Sequence, residues 1–210
     1  MRLASTKKAT QERAATAYLF TERRQPENGN YLAVPRTSSE RREFIPIAYK
    51  KSSVIAANDL QIIPNAEIPE FAMLNSRFHN TWARVTAGRL KSDIRYSAKF
   101  TYNTFPWPDL TDAAKATLTK TGQAILDARA AWPEATLADL YDPDSMPANL
   151  RKAHIANDKA VDKLYRKKPF ESERERVEHL FMLYEQLQAP LVAASKPKPR
   201  KRKARTVKTS

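Results

Sequence analysis

Residues 82–108, WARVTAGRLKSDIRYSAKFTYNTFPWP, set the reading of the whole chain. The stretch opens as the end of a helix, with Gly88 as its stop signal. A short segment of both charges follows, with Arg89, Lys91, Asp93 and Arg95 at every second position. The alternation of Phe100, Tyr102 and Thr104 then predicts a strand. Pro106 and Pro108 close it, since neither can donate to a ladder or continue a helix. A segment with Lys, Asp and Arg at alternate positions presents donors and acceptors on one edge. Arg and Lys match the guanine acceptors of the major groove, and Asp accepts from the amino group of cytosine. A solvated, salt-bridged loop has the same composition, and spacing alone leaves that alternative open.

Working upstream, residues 68–87 carry Phe71, Leu74, Phe78, Trp82 and Val85 at spacings of three and four, which predicts one long helix. His79 stands beside that stripe. No second His, Cys or carboxylate stands at ligand spacing, so it reads as a packed or surface residue rather than a metal ligand. Before the helix, short extended segments are predicted at 18–21, 31–35, 44–49, 54–57 and 60–63. Pro46 makes the third an edge or a bulge. Between the first two lies the turn cluster QPENGN, residues 25–30. Asn58-Asp59 is a turn between the last two, Asn being tolerant of left-handed backbone. Residues 36–42, RTSSERR, form a loop of hydroxyl and guanidinium groups, which contact phosphates well.

Downstream of Pro108 the chain turns helical. Residues 113–131 form one helix, ended by Trp132-Pro133. A short turn carries Leu137, Leu140 and Tyr141. A second helix starts at Met146-Pro147, Pro being well suited to a first turn, and runs to about Tyr165. A third covers 171–188, with Val177, Leu180, Phe181, Tyr184 and Leu187 on one face. The aromatic residues of this region read as core. Residues 195–210, SKPKPRKRKARTVKTS, lack an apolar face and read as disordered, suited to non-specific phosphate attraction or to solubility alone. The fold class is therefore α+β: a mixed β-sheet domain with a long helix over 1–108, a small all-α bundle over 109–190, and a basic tail over 191–210.

The 210 residues suffice for one or two domains with a real core. Lys and Arg number 37 against 23 Asp and Glu, a formal net charge of +14. A polyanionic partner fits such a charge, nucleic acid first, with ribosomal or membrane surfaces equally served by charge alone. Cysteine is absent, which excludes disulfides and thiolate metal sites and suits a cytoplasmic protein. No apolar run nears the ~20 residues of a membrane span, and the N-terminus has no apolar signal core. The three glycines, Gly29, Gly88 and Gly122, are isolated, so no glycine-rich phosphate loop exists. HExxH and GxSxG are also missing, and His79, His154 and His179 have no visible nucleophile partner.

Taken together, GRLKSDIRYS (88–97) and YNTFPWP (102–108) resemble the target-recognition domain of the MmeI-like type IIL restriction-modification enzymes. The resemblance continues in YLAVPRTSSERREFIPIAY (31–49), VIAANDLQIIPNA (54–66), LADLYDPDSMPANLRKAHIANDKAVDKLYR (137–166) and ERERVEHLFMLYEQLQAP (173–190). It thus extends, in order, to about Pro190. Such enzymes fuse nuclease, adenine-N6 DNA methyltransferase and recognition domains, using S-adenosylmethionine and magnesium. Neither the cofactor-binding glycine motif nor the motif for the flipped adenine lies in these residues, so no catalytic residue and no cofactor are assigned here.

The resemblance implies a double-stranded DNA partner, and a separate methyltransferase subunit as an alternative one. A gene remnant without function is a third implication. It implies that Lys91 and Asp93 read one base pair, that Arg95 works with Asn58 and Asp59 on a neighbouring pair, and that Arg36 is a further reader. Arg41, Arg42, Arg84 and Arg89 are candidates for phosphate contacts that set register, ordinary surface ion pairs being the open alternative. Tyr96 and Trp107 read as packing residues of the loop and of the domain junction, with stacking on DNA as the open alternative.

Overall fold

The computed structural model describes residues 3–19 and 24–195. After the short helix α1 (Lys8–Glu12), strand β1 (Asn30–Pro35) forms the centre of a sheet. It pairs antiparallel with β3 (Ala48–Lys51) on one side and β4 (Leu60–Pro64) on the other. β1 is a continuous apolar run, and Tyr31, Leu32, Ala33 and Val34 are all buried. A second sheet has the order β2-β6-β5, from β2 (Thr37–Ser38), β5 (Gly88–Leu90) and β6 (Asp93–Arg95). Arg36 joins the two sheets. Its N–H donates to the Asp59 carbonyl at 2.9 Å, and its own carbonyl accepts from the Tyr96 N–H at 2.8 Å.

Several expected elements take a different form. The helix predicted over 68–87 is two helices, α2 (Ile68–Leu74) and α3 (Arg77–Thr86). Ser76 breaks it: its hydroxyl donates to the Met73 carbonyl at 2.6 Å and accepts from the His79 N–H at 3.3 Å, capping the second helix. Asn75 donates its side-chain amide to the Phe71 carbonyl at 2.9 Å, closing the first. The strand expected at 100–104 is a π-helix, Ala98–Tyr102, capped by Ser97. Alternation over so few residues does not separate strand from helix, and Thr104 donates to the Phe100 carbonyl at 2.7 Å, back along the turn.

Residues 54–57 are a bend followed by irregular chain instead of a strand, with Val54 and Ile55 exposed. Of the segment predicted at 44–49, only the end is strand. Phe44, Ile45 and Ile47 are buried in an irregular strap, since Pro46 cannot donate to a ladder. Tyr18 and Leu19 lie in turns, and the rest of that predicted strand falls outside the described residues.

The C-terminal half holds α4 (Asp112–Ala130), α5 (Leu137–Leu140), α6 (Ala148–Tyr165) and α7 (Glu173–Ser195). Thr111 caps α4 by accepting from the Ala114 N–H at 3.2 Å. The last helix continues through Pro190 to Ser195, past the position where the tail is expected to begin. Residues 196–210 lie outside the described residues. Hydrophobic burial ignores the junction at Pro108. One cluster joins Leu32, Val34, Phe71 and Leu74 to Ile125, Tyr141 and Leu150, and another joins Phe78 and Trp82 to Leu118, Val161 and Leu180. α4 approaches α2 so closely that a Cβ on Gly122 would meet Ile68 Cγ2 at 2.7 Å and the Ile68 carbonyl at 3.1 Å.

Candidate nucleic-acid interface

The hairpin β5–β6 is anchored from below and loaded above. Ile94 is buried in the main core cluster. Successive residues of a strand point to opposite faces, so Asp93 and Arg95 turn outward together. Leu90 and Asp93 are paired, which leaves Lys91 and Ser92 as the turn. Lys91 takes φ 57°, a left-handed conformation that carries its side chain to the apex. Lys91 and Arg95 are exposed and Asp93 is half-buried. One oxygen of Asp93 accepts from the Glu40 N–H at 3.4 Å.

Arg36 and the Asn58-Asp59 turn come to the same edge. Thr37 is paired with Arg95 in the second sheet, and the backbone of Arg36 bonds to Asp59 on one side and Tyr96 on the other. The fold therefore joins three segments far apart in sequence: 36–37, 58–59 and 93–96. The Arg36 Nε is buried with no protein partner. Arg24 also donates to the Ala57 carbonyl at 3.2 Å, beside that turn.

The four arginines expected at phosphates differ in how they are held. Arg41 makes an exposed ion pair with Asp144 at 2.8 Å. Arg42 is half-buried, and its Nε has no protein partner. Arg89 spans its own hairpin, donating to the Ser92 carbonyl at 3.1 Å and the Arg84 carbonyl at 2.9 Å. Arg84 is the most engaged: it donates to the carbonyls of Glu40 at 3.3 Å and Arg42 at 2.6 Å, and lies 3.7 Å from a Glu173 carboxylate oxygen.

His79 is fully buried against Tyr96, its Nε2 2.9 Å from the Tyr96 hydroxyl. Burial pushes its pKa down to about 3, so the ring is neutral. Trp107 packs edge-on against Tyr102 and Phe105. Among the described residues no group of three or more His, Cys, Asp or Glu is placed to hold a metal ion, and no helix is long and apolar enough to cross a membrane.

Sequence reasoning missed Glu40 and Glu43. The first supports Asp93 through its backbone. The second lies between Arg77 and Arg151, at 2.9 Å from the latter. Both sit in an ordinary mixed-charge run, and nothing local marks their distant partners.

The sheets with their hairpin and the helices after Pro108 correspond to the two halves that two family models match. One, for the MmeI target recognition domain, matches residues 1–109, and the other, for the MmeI C-terminal domain, matches residues 110–192. The chain belongs to the MmeI family.

DNA methyltransferase A of Bacillus subtilis (strain 168) is 41% identical over 183 residues, covering 87% of this chain and 21% of that protein. The solved structure of the type IIL restriction-modification enzyme MmeI in complex with DNA superposes with a TM-score of 0.81 at 42% identity. It covers 90% of this chain and 25% of that one. The chain thus spans a quarter or less of the length of the relatives it matches.

Proposed function

We propose that this chain reads a short sequence in double-stranded DNA on behalf of a restriction-modification methyltransferase acting in the cytoplasm. The observation that carries the reading is the outward face of Asp93 and Arg95 on a hairpin anchored by Ile94, with the exposed Lys91 in its turn. Lys91 donates to guanine O6 or N7 while Asp93 accepts from N4 of the paired cytosine. Arg95, with Asn58 and Asp59, reads the neighbouring pair, and Arg36 a further one. Each good contact discriminates by ~1–3 kcal/mol.

Arg41, Arg42 and Arg89 contact phosphates and set register. The exposed Arg41–Asp144 pair is the kind that contributes little by itself, so a phosphate displaces the carboxylate at low cost. Arg84, engaged with backbone carbonyls, serves the phosphate contacts by holding the loop that carries Arg41 and Arg42.

The test is selection from a randomised duplex pool at moderate salt, with sequencing of what is retained. The chain enriches a short motif. Lys91→Ala with Asp93→Ala relaxes one base position by roughly tenfold and leaves the salt-dependent binding in place. Arg42→Ala weakens all sequences alike. Equal weakening of every sequence by both changes would rule out the reader assignment.

A second reading is docking onto a separately encoded methyltransferase subunit. The unpaired edge of β4 favours it. In the register with β1, Leu60, Ile62 and Pro64 turn their backbone groups away from β1, and no further strand pairs there among the described residues. Beside that edge lies an apolar groove of about 290 Å³ lined by Val34, Ile63, Tyr96 and Tyr102. Co-purification of the chain with a methyltransferase subunit, lost on Ile62→Pro, distinguishes this reading from DNA reading by the chain alone.

A further inference from the structure

The strap at residues 39–47 has strand only where β3 begins, at Ala48, so its backbone groups must be satisfied elsewhere. Helices from both halves of the chain satisfy them. Arg84 of α3 donates to the carbonyls of Glu40 and Arg42, at 3.3 and 2.6 Å. The Ile45 N–H donates to Asn80 Oδ1 at 2.7 Å, and the Ile47 carbonyl accepts from Arg129 of α4 at 2.8 Å. At mid-strap the Glu43 carboxylate lies between Arg77 of α3 and Arg151 of α6. Arg77 is itself tied to α6, its N–H donating to Asp158 Oδ1 at 2.7 Å. At the front of the strap, the Glu40 N–H donates to one carboxylate oxygen of Asp93 at 3.4 Å.

We propose that Glu43 and Arg151 are positioning residues for base reading: through the strap, the helical C-terminal domain fixes the carboxylate of Asp93. This rests on the assignment of Lys91 and Asp93 as readers. Three side chains away from any base thereby set specificity: Arg151 on α6, Glu43 at mid-strap and Arg84 beneath its front. Glu43 and Arg151 are 36% and 43% exposed, and ion pairs of that exposure contribute little net stability. Their effect falls on where the strap sits, not on whether the chain folds.

The experiment measures amide exchange and base discrimination on the full chain, wild type beside Glu43→Gln, Arg151→Met and Arg151→Lys. In Glu43→Gln and Arg151→Met, exchange at the Glu40 amide and across residues 88–95 rises at least about fivefold, while β1 and β4 keep their protection. Discrimination at the base pair assigned to Asp93 falls by a similar factor, other positions hold, and Arg151→Lys stays near wild type. Unchanged exchange at Glu40 overturns the inference whatever the DNA result. Faster exchange throughout, β1 included, also overturns it, because the pair then holds the fold and not the hairpin. Faster exchange at Glu40 with no change in discrimination overturns the link to specificity. Should Asp93→Ala itself leave base preference unaltered, the reader assignment fails, and the exchange data still decide whether the clamp exists.

Discussion

Lys91 occupies the first position of a two-residue hairpin turn at φ 57°, where glycine is the usual residue. A Cβ in that region costs ~1–2 kcal/mol, and the strain persists because the flanking pairs fix the backbone. Lys91→Gly is therefore expected to stabilise the chain by about 1 kcal/mol in denaturant melts while losing discrimination at one base pair. A loss of stability would mean that the Lys91 side chain does more for the fold than its exposure suggests. The identities of Lys91, Asp93 and Arg95 and their alternation were legible in the sequence. The strain was not, because no local residue type announces it.

At the scale of elements, the break between α2 and α3 hangs on Ser76. Ser76→Ala removes a buried donor and a helix cap together, and a loss of about 1–2 kcal/mol is expected in thermal or denaturant unfolding. A negligible change would imply that the break is imposed by packing alone. The contact of α4 on α2 makes a matching prediction. Gly122→Ala places a methyl against Ile68 backbone and side chain, which destabilises by about 1–3 kcal/mol although alanine is the better helix former. Apolar spacing identified these helices, and their ends fall close to the predicted ones. It could not locate the break at Ser76, since Phe71, Leu74, Phe78 and Trp82 keep helical spacing across it. The π-helix escaped for a related reason: Ser97 caps as readily as it could have begun a strand.

Across the whole molecule, buried titratable groups tie stability to pH. His79 and His154 are neutral in the fold, each with a pKa pushed down to about 3, by burial first and, for His154, also by Arg129. Their unfolded value is near 6.5, so the stability they contribute is present above about 6.5 and lost as pH falls toward 3, by ~1.4 kcal/mol per unit for each ring. Asp158 works the other way. Burial outweighs its Arg77 partner and raises its pKa to about 6, so its contribution is present below its unfolded value and lost as pH rises through 6. Two histidines outweigh one aspartate, and between pH 6 and 4 the net loss is expected at ~1–2 kcal/mol per unit. Denaturant midpoints across that range measure it. His79→Gln should lessen the slope, and Asp158→Asn should steepen it.

Within the chain, sequence by itself determined the family resemblance, the α+β class and the helical second half. Those depend on spacing, caps and turn chemistry within a few residues. Tertiary structure decided the rest. It placed Arg36 and Asp59 beside Arg95, set Glu43 between Arg77 and Arg151, and turned Arg84 from a surface cation into a brace. It also merged the two halves into shared hydrophobic clusters. These pairings join residues many positions apart. Their geometry follows from how α2, α4 and α6 pack, which no short stretch of sequence encodes.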